Sequence, residues 1–268
     1  RASHIHDEYF YLAGADEDRA RDVMDAFLDD GIAGILCVRG GFGTGRMVDL
    51  LDYDAIAAHP KVFIGFSDST GLQLALYARA GLVTFTGALA DTDLGSASVD
   101  SLLENSLRRL VEQKHPLGPL PADSDTLEIW HAGKAAGPLV AANLALYCSL
   151  LGTRYSPCID GSVLLLEDVS EAPYRVDRML SQLRLAGVFD RLAALVLGTF
   201  RDCFQATEMA SSPTLEEIVL DAVGQADLPI MSGVAYGHMQ RRTVLPIGVD
   251  VLVDGYAGTV VVTERAVD

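Results

Sequence analysis

Lys61-Val62-Phe63-Ile64-Gly65-Phe66-Ser67-Asp68-Ser69-Thr70-Gly71-Leu72 is the stretch on which the fold turns. Lys61–Phe66 is a short apolar run suited to a buried parallel strand, and Thr70–Ala80 reads as a helix stopped by Gly81. Ser67 therefore falls where a strand meets a helix. In an open α/β sheet that junction lies at the carboxyl edge, where sites are built. The amide of Asp68 would stand at the helix N-terminus, able to donate to a developing oxyanion. The surrounding pattern is not the G-x-S-x-G of a nucleophile elbow, so on the local sequence alone helix capping by Ser67, Asp68 and Ser69 is the leading reading.

Working outward, the same alternation continues on both sides. Asp16–Leu28 reads as a helix, with Ala20, Val23, Met24 and Phe27 on one face and acids in its first turn. Ala33–Val38 reads as a buried parallel strand, and Leu82–Phe85 as a third strand. Between the first two strands lies Arg39-Gly40-Gly41-Phe42-Gly43-Thr44-Gly45, followed by a helix predicted near Met47–Leu51. The glycine loop lacks phosphate-loop and dinucleotide spacing. It is open to three readings: a phosphate cradle, a second oxyanion donor beside Ser67, or a tight turn needing positive φ. Strand–helix alternation over this half predicts a parallel α/β layer.

Residues 113–137 change character. Pro116, Pro119 and Pro121 stand among polar residues, with Gly133 and Gly137 after them, as expected of a crossing between domains. The expected division is a Rossmann-like domain over 1–112, a linker over 113–137, and a β-rich domain over 138–268. In the second domain the patterns predict a helix over Pro138–Leu151, a strand over Ser162–Leu166, a helix over Tyr174–Leu185, a strand over Ala194–Gly198 and a helix over Thr214–Val223. Four strands follow from Ile230 onward.

A serine needs a base to accept its proton. Of six histidines, His4 and His6 lie near the first residue, His59 and His115 each precede proline, and His131 lies in the crossing. His238 follows an apolar strand and a glycine, which leaves it as the candidate base by elimination. Glu167 and Asp168 follow the apolar run Leu164–Leu166, where a carboxylate could orient an imidazole or cap the next helix. His4, His6, Asp7 and Glu8 contain metal-ligating types, but no metal is expected there.

Composition narrows the partners. The 268 residues carry 20 Lys+Arg against 37 Asp+Glu, a net charge of −17. Such a surface repels phosphate backbones and anionic lipid, so neither nucleic acid nor membrane is expected as a partner. No run reaches the ~18 apolar residues of a membrane span. Half the residues are hydrophobic, enough for a sizeable core. Cys37, Cys148, Cys158 and Cys203 form no C-x-x-C pair and read as buried thiols of a reducing compartment. With no basic segment leading into an apolar run, the expected setting is cytoplasmic.

The ordered blocks resemble the LD-carboxypeptidases and their relatives, the microcin C immunity peptidases. The blocks are Tyr11-Leu12-Ala13-Gly14, Val38-Arg39-Gly40-Gly41-Phe42-Gly43, and Gly65-Phe66-Ser67-Asp68-Ser69-Thr70. Leu166-Glu167-Asp168-Val169 with Pro173–Arg178, then Tyr236-Gly237-His238 with Leu245-Pro246-Ile247-Gly248, complete the set. The resemblance implies a serine peptidase with Ser67 as nucleophile, His238 as base and Glu167 as orienter. The amides of Gly41 and Asp68 would form the oxyanion hole. It implies no metal or other cofactor, a homodimer, and a small peptide substrate. The expected reaction is hydrolysis of the diaminopimelate–D-Ala bond of a murein tetrapeptide during cell-wall recycling. An amidase acting on a peptidyl-nucleotide is the near alternative, and a non-catalytic muropeptide-binding protein the distant one. Arg39, Arg175 and Arg178 are candidates for reading the substrate carboxylate. The resemblance also implies a strand, turn and helix ahead of Tyr11, where this chain has ten residues.

Overall fold

The structure is a computed structural model that describes residues 1–204 and 213–267. The first part runs α1 (Asp16–Leu28), β1 (Gly34–Leu36), α2 (Tyr53–Ala58), β2 (Val62–Gly65), α3 (Ser69–Ala80), β3 (Thr84–Thr86) and α4 (Ser101–Glu112). Next come β4 (Gly118–Pro119), β5 (Glu128–His131), β6 (Lys134–Asn143), α5 (Leu144–Leu150), β7 (Val163–Val169) and α6 (Pro173–Leu185). The remainder is β8 (Ala194–Arg201), α7 (Leu215–Val223), β9 (Ile230–Ser232), β10 (Leu245–Ile247), β11 (Asp250–Asp254) and β12 (Thr259–Val262).

The strands form two sheets. One has the order β1-β2-β3-β10, and the other is an eight-stranded sheet of order β4-β12-β11-β6-β7-β8-β9-β5. β1, β2 and β3 are parallel, as the alternation of strands and helices requires. The mixed α/β class expected from the sequence is the observed one. β10 enters the first sheet antiparallel to β3, pairing Leu245 with Thr86 and Ile247 with Thr84. Pro246 is tolerated because β10 is an edge strand, so its missing N–H leaves no ladder bond unmade.

Several elements differ from expectation. Ala33–Val38 reads as buried, but Gly34 is exposed and Ile35 and Leu36 are half-buried, because β1 lies at the sheet edge. The helix predicted near Met47–Leu51 is a pair of 3₁₀ turns, Thr44–Arg46 and Val48–Leu50, and the regular helix α2 follows them. The helix predicted over Pro138–Leu151 is a strand as far as Asn143. A short apolar run does not by itself separate strand from buried helix. Here Leu139–Asn143 pairs in parallel with Val163–Glu167, and Leu139, Val140, Ala141 and Ala142 are fully buried. The other half of β6, Lys134–Pro138, pairs with β11 instead. Residues 113–137 contribute β4, β5 and the start of β6 to the larger sheet.

The core is continuous beneath both sheets. α1 buries Ala20 and Phe27, and the Phe27 ring stacks on Phe63 of β2 at 6.2 Å. α7 starts with a capping box, Thr214 and Glu217 each bonding the other's backbone amide. Three of the four thiols are buried or half-buried as expected, whereas Cys158 is exposed, and all four are free. Among the described residues no helix is long and apolar enough to cross a membrane.

Candidate active site

Ser67 stands between the end of β2 and the start of α3, at the edge where the parallel strands finish. Its φ is +62°, in the left-handed region that a non-glycine residue enters at an energetic cost. Phe66 and Asp68 are buried on either side and Ser67 itself is half-exposed, so the strained turn lifts Ser67 out between its buried neighbours. No side chain caps α3: Asp68 makes no capping bond at its N-terminus, and the Ser69 hydroxyl is turned the other way, donating to Phe66 O at 2.9 Å.

The glycine loop closes against this turn. A Cβ built on Gly40 would lie 2.7 Å from Ser67 Cβ and 2.9 Å from its Oγ, so only glycine fits there. Gly41 follows with φ +135° and open space around it. The loop is fastened by Asp68: Thr44 N donates to Asp68 Oδ2 at 2.9 Å, and Thr44 Oγ1 donates to Asp68 O at 2.7 Å. Asp68 is thus a brace for the loop as well as the residue whose amide follows Ser67.

His238 reaches this place from the other side of the molecule. Its Nε2 is 2.9 Å from Ser67 Oγ and its Nδ1 is 2.7 Å from Glu167 Oε2. Glu167 is fully buried near the end of β7, within the strand rather than after it. β7 and β8 step out of register here, with Leu166 facing Leu197 but Asp168 facing Phe200. The extra length falls at Gly198 and Thr199 and turns Thr199 N to Tyr236 O at 2.8 Å, which anchors the histidine loop. Gly237 is forced: its φ is +137°, and a Cβ there would meet Thr199 O at 2.9 Å.

Behind Glu167 lies a second carboxylate. Asn143 Nδ2 donates to Glu167 Oε1 at 3.3 Å and to Asp168 Oδ1 at 3.0 Å. Ala145 N and Val169 N also donate to Asp168. Burial pushes the Asp168 carboxyl up to about 6 in spite of those bonds. The site is further tied across the sheets by a 2.8 Å hydrogen bond between Thr86 Oγ1 and the buried Tyr236 hydroxyl. Burial pushes the nearby Cys37 thiol up to about 11, so it is not a thiolate at neutral pH.

The sequence-predicted residues Ser67, Asp68, Gly41, Glu167 and His238 therefore come to one place. The other candidates do not. Arg175 and Arg178 lie on the exposed face of α6, flanking the Tyr174 ring at 5.9 Å, and Arg175 pairs with Glu171. Arg39 is exposed beside Gly40. Of the terminal group, His4 and Asp7 come together with Asp18, their ligand atoms within 4.8 Å of one another, while His6 and Glu8 fall outside the set. His4 Nδ1 is held by Asp22 Oδ1 at 2.8 Å, an ordinary imidazole–carboxylate pair. Asn143 escaped the sequence reading because it lies in the run taken for helix. Its signal is the N-cap position of α5, where its side chain accepts from Leu146 N.

Comparison with known proteins identifies the family. The model of the LD-carboxypeptidase N-terminal domain matches residues 1–87, and that of the LD-carboxypeptidase C-terminal domain matches residues 136–253. A probable murein peptide carboxypeptidase of Bacillus subtilis is 36% identical over 91% of this chain and 76% of its own length. A murein tetrapeptide carboxypeptidase of Pseudomonas aeruginosa is 34% identical over 94% of this chain and 82% of its own. Among solved structures, the microcin C7 self-immunity protein without ligand superposes with a TM-score of 0.87 at 25% identity, covering 100% of this chain and 86% of that one. Domain models over both halves, and relatives above 30% identity along nearly the whole length, lead to one conclusion: the chain belongs to the LD-carboxypeptidase family.

Proposed function

We propose that the protein is a serine carboxypeptidase that hydrolyses the diaminopimelate–D-Ala bond of murein tetrapeptides, in the cytoplasm and during cell-wall recycling. The observation that carries the serine mechanism is the chain Ser67 Oγ–His238–Glu167, with contacts of 2.9 and 2.7 Å. The substrate rests on the two murein peptide carboxypeptidases at 34% and 36% identity. The same reading makes 1–112 the unit that supplies the nucleophile and 138–268 the unit that supplies Glu167 and His238, with 113–137 between them, and expects a homodimer.

A carboxylate accepts hydrogen bonds, so His238 carries its proton on Nδ1, toward Glu167, and Nε2 is left to accept from Ser67 Oγ. Ser67 Oγ attacks the carbonyl carbon of the scissile bond as its proton passes to Nε2. Glu167 stabilises the imidazolium formed. The amides of Asp68 and Gly41 receive the developing oxyanion. Collapse breaks the C–N bond, and the D-Ala amine leaves with the proton from Nε2. Water then attacks the acyl-serine, giving up a proton to the same nitrogen; the bond from the acyl carbon to Ser67 Oγ breaks, Nε2 returns the proton to Oγ, and the tripeptide leaves with a free carboxylate. No step calls for a metal. Arg39, exposed beside the loop, is the best placed of the three arginines to meet the terminal carboxylate.

The bond's stereochemistry supplies the test. Inverting the terminal alanine swaps its methyl and hydrogen, so either the methyl meets the wall that D-Ala leaves empty or the residue turns and its carboxylate loses its cationic partner. A lost charge-assisted contact costs roughly 1.5–3 kcal/mol, about one to two decades in kcat/KM. Purified protein should release D-Ala from L-Ala-γ-D-Glu-diaminopimelate-D-Ala at least about tenfold faster than L-Ala from the epimer, with EDTA making no difference. Equal rates on the two epimers overturn the reading. Cleavage of an aspartyl-nucleotide amide with neither alanine released moves the protein to the immunity-peptidase branch. Binding of the tetrapeptide without any turnover makes it a muropeptide-binding protein.

A further inference from the structure

Arg242 is nearly buried, and the hydrogen bonds of its side chain go to groups other than Glu167 and Ser67. Its guanidinium spends its donors on three separate segments. Nε donates to Gly87 O at 2.7 Å, Nη1 to Met239 O at 2.6 Å and Nη2 to Asp93 Oδ2 at 2.5 Å. Gly87 follows β3 and is itself bonded to the last residue of β2, Gly87 N to Gly65 O at 2.9 Å. Met239 follows His238. Asp93 lies in the turn over 90–94, whose amides Ala90 N and Asp91 N donate to Cys37 O and Val38 O, where β1 runs into the glycine loop. Asp93 Oδ2 also accepts from Leu89 N, which fixes the carboxylate in place.

The face of the guanidinium is used as well. Its carbon lies 4.6 Å from the centre of the Phe66 ring, and the Phe66 and His238 ring centres are 4.6 Å apart. Phe66 directly precedes Ser67. One planar cation thus bears on the residue before the nucleophile, the residue after the histidine, and the turn bonded to the strand entering the oxyanion loop. A buried Arg–Asp pair contributes little net stability against an apolar replacement, so its burial calls for another role. A rigid fork with five donors can hold several acceptors in one geometry, which a lysine cannot.

We infer that Arg242, with Asp93 as its counter-ion, is a positioning residue that holds the His238 loop in register with Ser67 and the glycine loop. The inference rests on the reading of Ser67 as nucleophile and His238 as base. The pair contacts no reacting atom in this arrangement. Its loss should slow the chemical step and leave peptide binding nearly unchanged, since a displacement of about 1 Å can cost ~10²-fold in rate.

The test uses Arg242→Met, Arg242→Lys and Asp93→Asn in the whole protein, each with circular dichroism and thermal unfolding to establish folding. A fluorophosphonate probe reads the Ser67–His238 pair without regard to peptide specificity. Phosphonylation should slow by about tenfold or more in Arg242→Met and by an intermediate factor in Arg242→Lys, which keeps the charge but not the fork. On the tetrapeptide, kcat should fall with it while KM stays within about twofold. The double variant Arg242→Met/Asp93→Asn should be no slower than Arg242→Met, because the two act as one unit. Folded Arg242→Lys and Asp93→Asn reacting within about twofold of wild type overturn the inference, and they decide the matter if Arg242→Met does not fold. A wild type that is not phosphonylated at Ser67 sinks the nucleophile reading instead. In that case the downfield Nδ1 proton of His238, read by NMR, takes over. Its loss in the folded variants supports the brace, and its persistence in all of them overturns it.

Discussion

The Ser67 turn and the Glu167–His238 pair are built in opposite ways. The turn is made of consecutive residues: β2 ends at Gly65, α3 begins at Ser69, and the strain at Ser67 is local backbone. Glu167 and His238 are 71 residues apart, and His238 and Ser67 are 171 apart. They meet only because β10 crosses into the first sheet, the β7–β8 register shifts, and Tyr236 bonds Thr86. The proposed nucleophile is therefore placed by a dozen residues, and its contact with the imidazole by the whole fold. Substitutions in the turn should change chemistry with the fold intact, whereas those around the pair should couple chemistry to stability.

The sharpest way to break that contrast is Ser67→Ala. It should lower kcat by ~10⁴–10⁶ while circular dichroism and thermal unfolding stay near wild type. Retention of activity within about tenfold would falsify the nucleophile assignment. Gly40→Ala comes next. Its new Cβ would press on Ser67 Cβ, which has no freedom to yield, so the loop or the turn must shift. The expected loss in kcat/KM is roughly 10- to 100-fold. A fully active Gly40→Ala protein would mean that the loop is not part of the site.

Asp168 sharpens the other half of the comparison. Its carboxyl is raised to about 6, so between its unfolded value near 4 and 6 the native state holds a proton that the unfolded chain has released. Stability must then fall as pH rises through that window, by about 1–3 kcal/mol. In Asp168→Asn this dependence disappears. Denaturant unfolding of both proteins at pH 4, 5 and 6 should show the wild type losing ground relative to the variant at each step. Parallel curves would show that the group titrates alike in both states.

The smallest effect is expected at the surface of the glycine loop. Arg46 forks onto Asp16 with contacts of 2.6 to 3.0 Å and, with Arg19, holds its carboxyl down to about 2. A depressed carboxylate adds stability above its unfolded pKa and loses it as pH falls toward 2. The pair lies at the surface with the Arg46 side chain exposed, so Arg46→Ala should cost little stability at neutral pH, less at high salt, and nothing near pH 2. A larger loss would make the outer rim of the loop as structural as Gly40.

Much of the first sheet was legible because strand and helix patterns are set by neighbours a turn away. Ser67, Gly41 and Asp68 fell at one sheet edge for that reason. Reading Pro138–Asn143 as helix failed for the complementary reason: its apolar run fits either state, and pairing with β7 decides between them. Glu167 and His238 were singled out by strand ends and elimination, then by resemblance. Nothing in the local sequence relates Arg242 to Asp93, which is 149 residues away.

By itself the sequence determined an α/β protein with a serine at a strand–helix turn, a glycine loop beside it, an acidic surface and a family resemblance running the length of the chain. Those features depend on periodicity, charge and the order of short blocks, which act without knowledge of the distant chain. Only the tertiary structure decided that β6 is a strand, that β10 belongs to the first sheet, that β1 is an edge, and that an imidazole stands 2.9 Å from Ser67 Oγ. Sheet register and burial fix such distances, and both are settled only when segments far apart in sequence compete for the same partners.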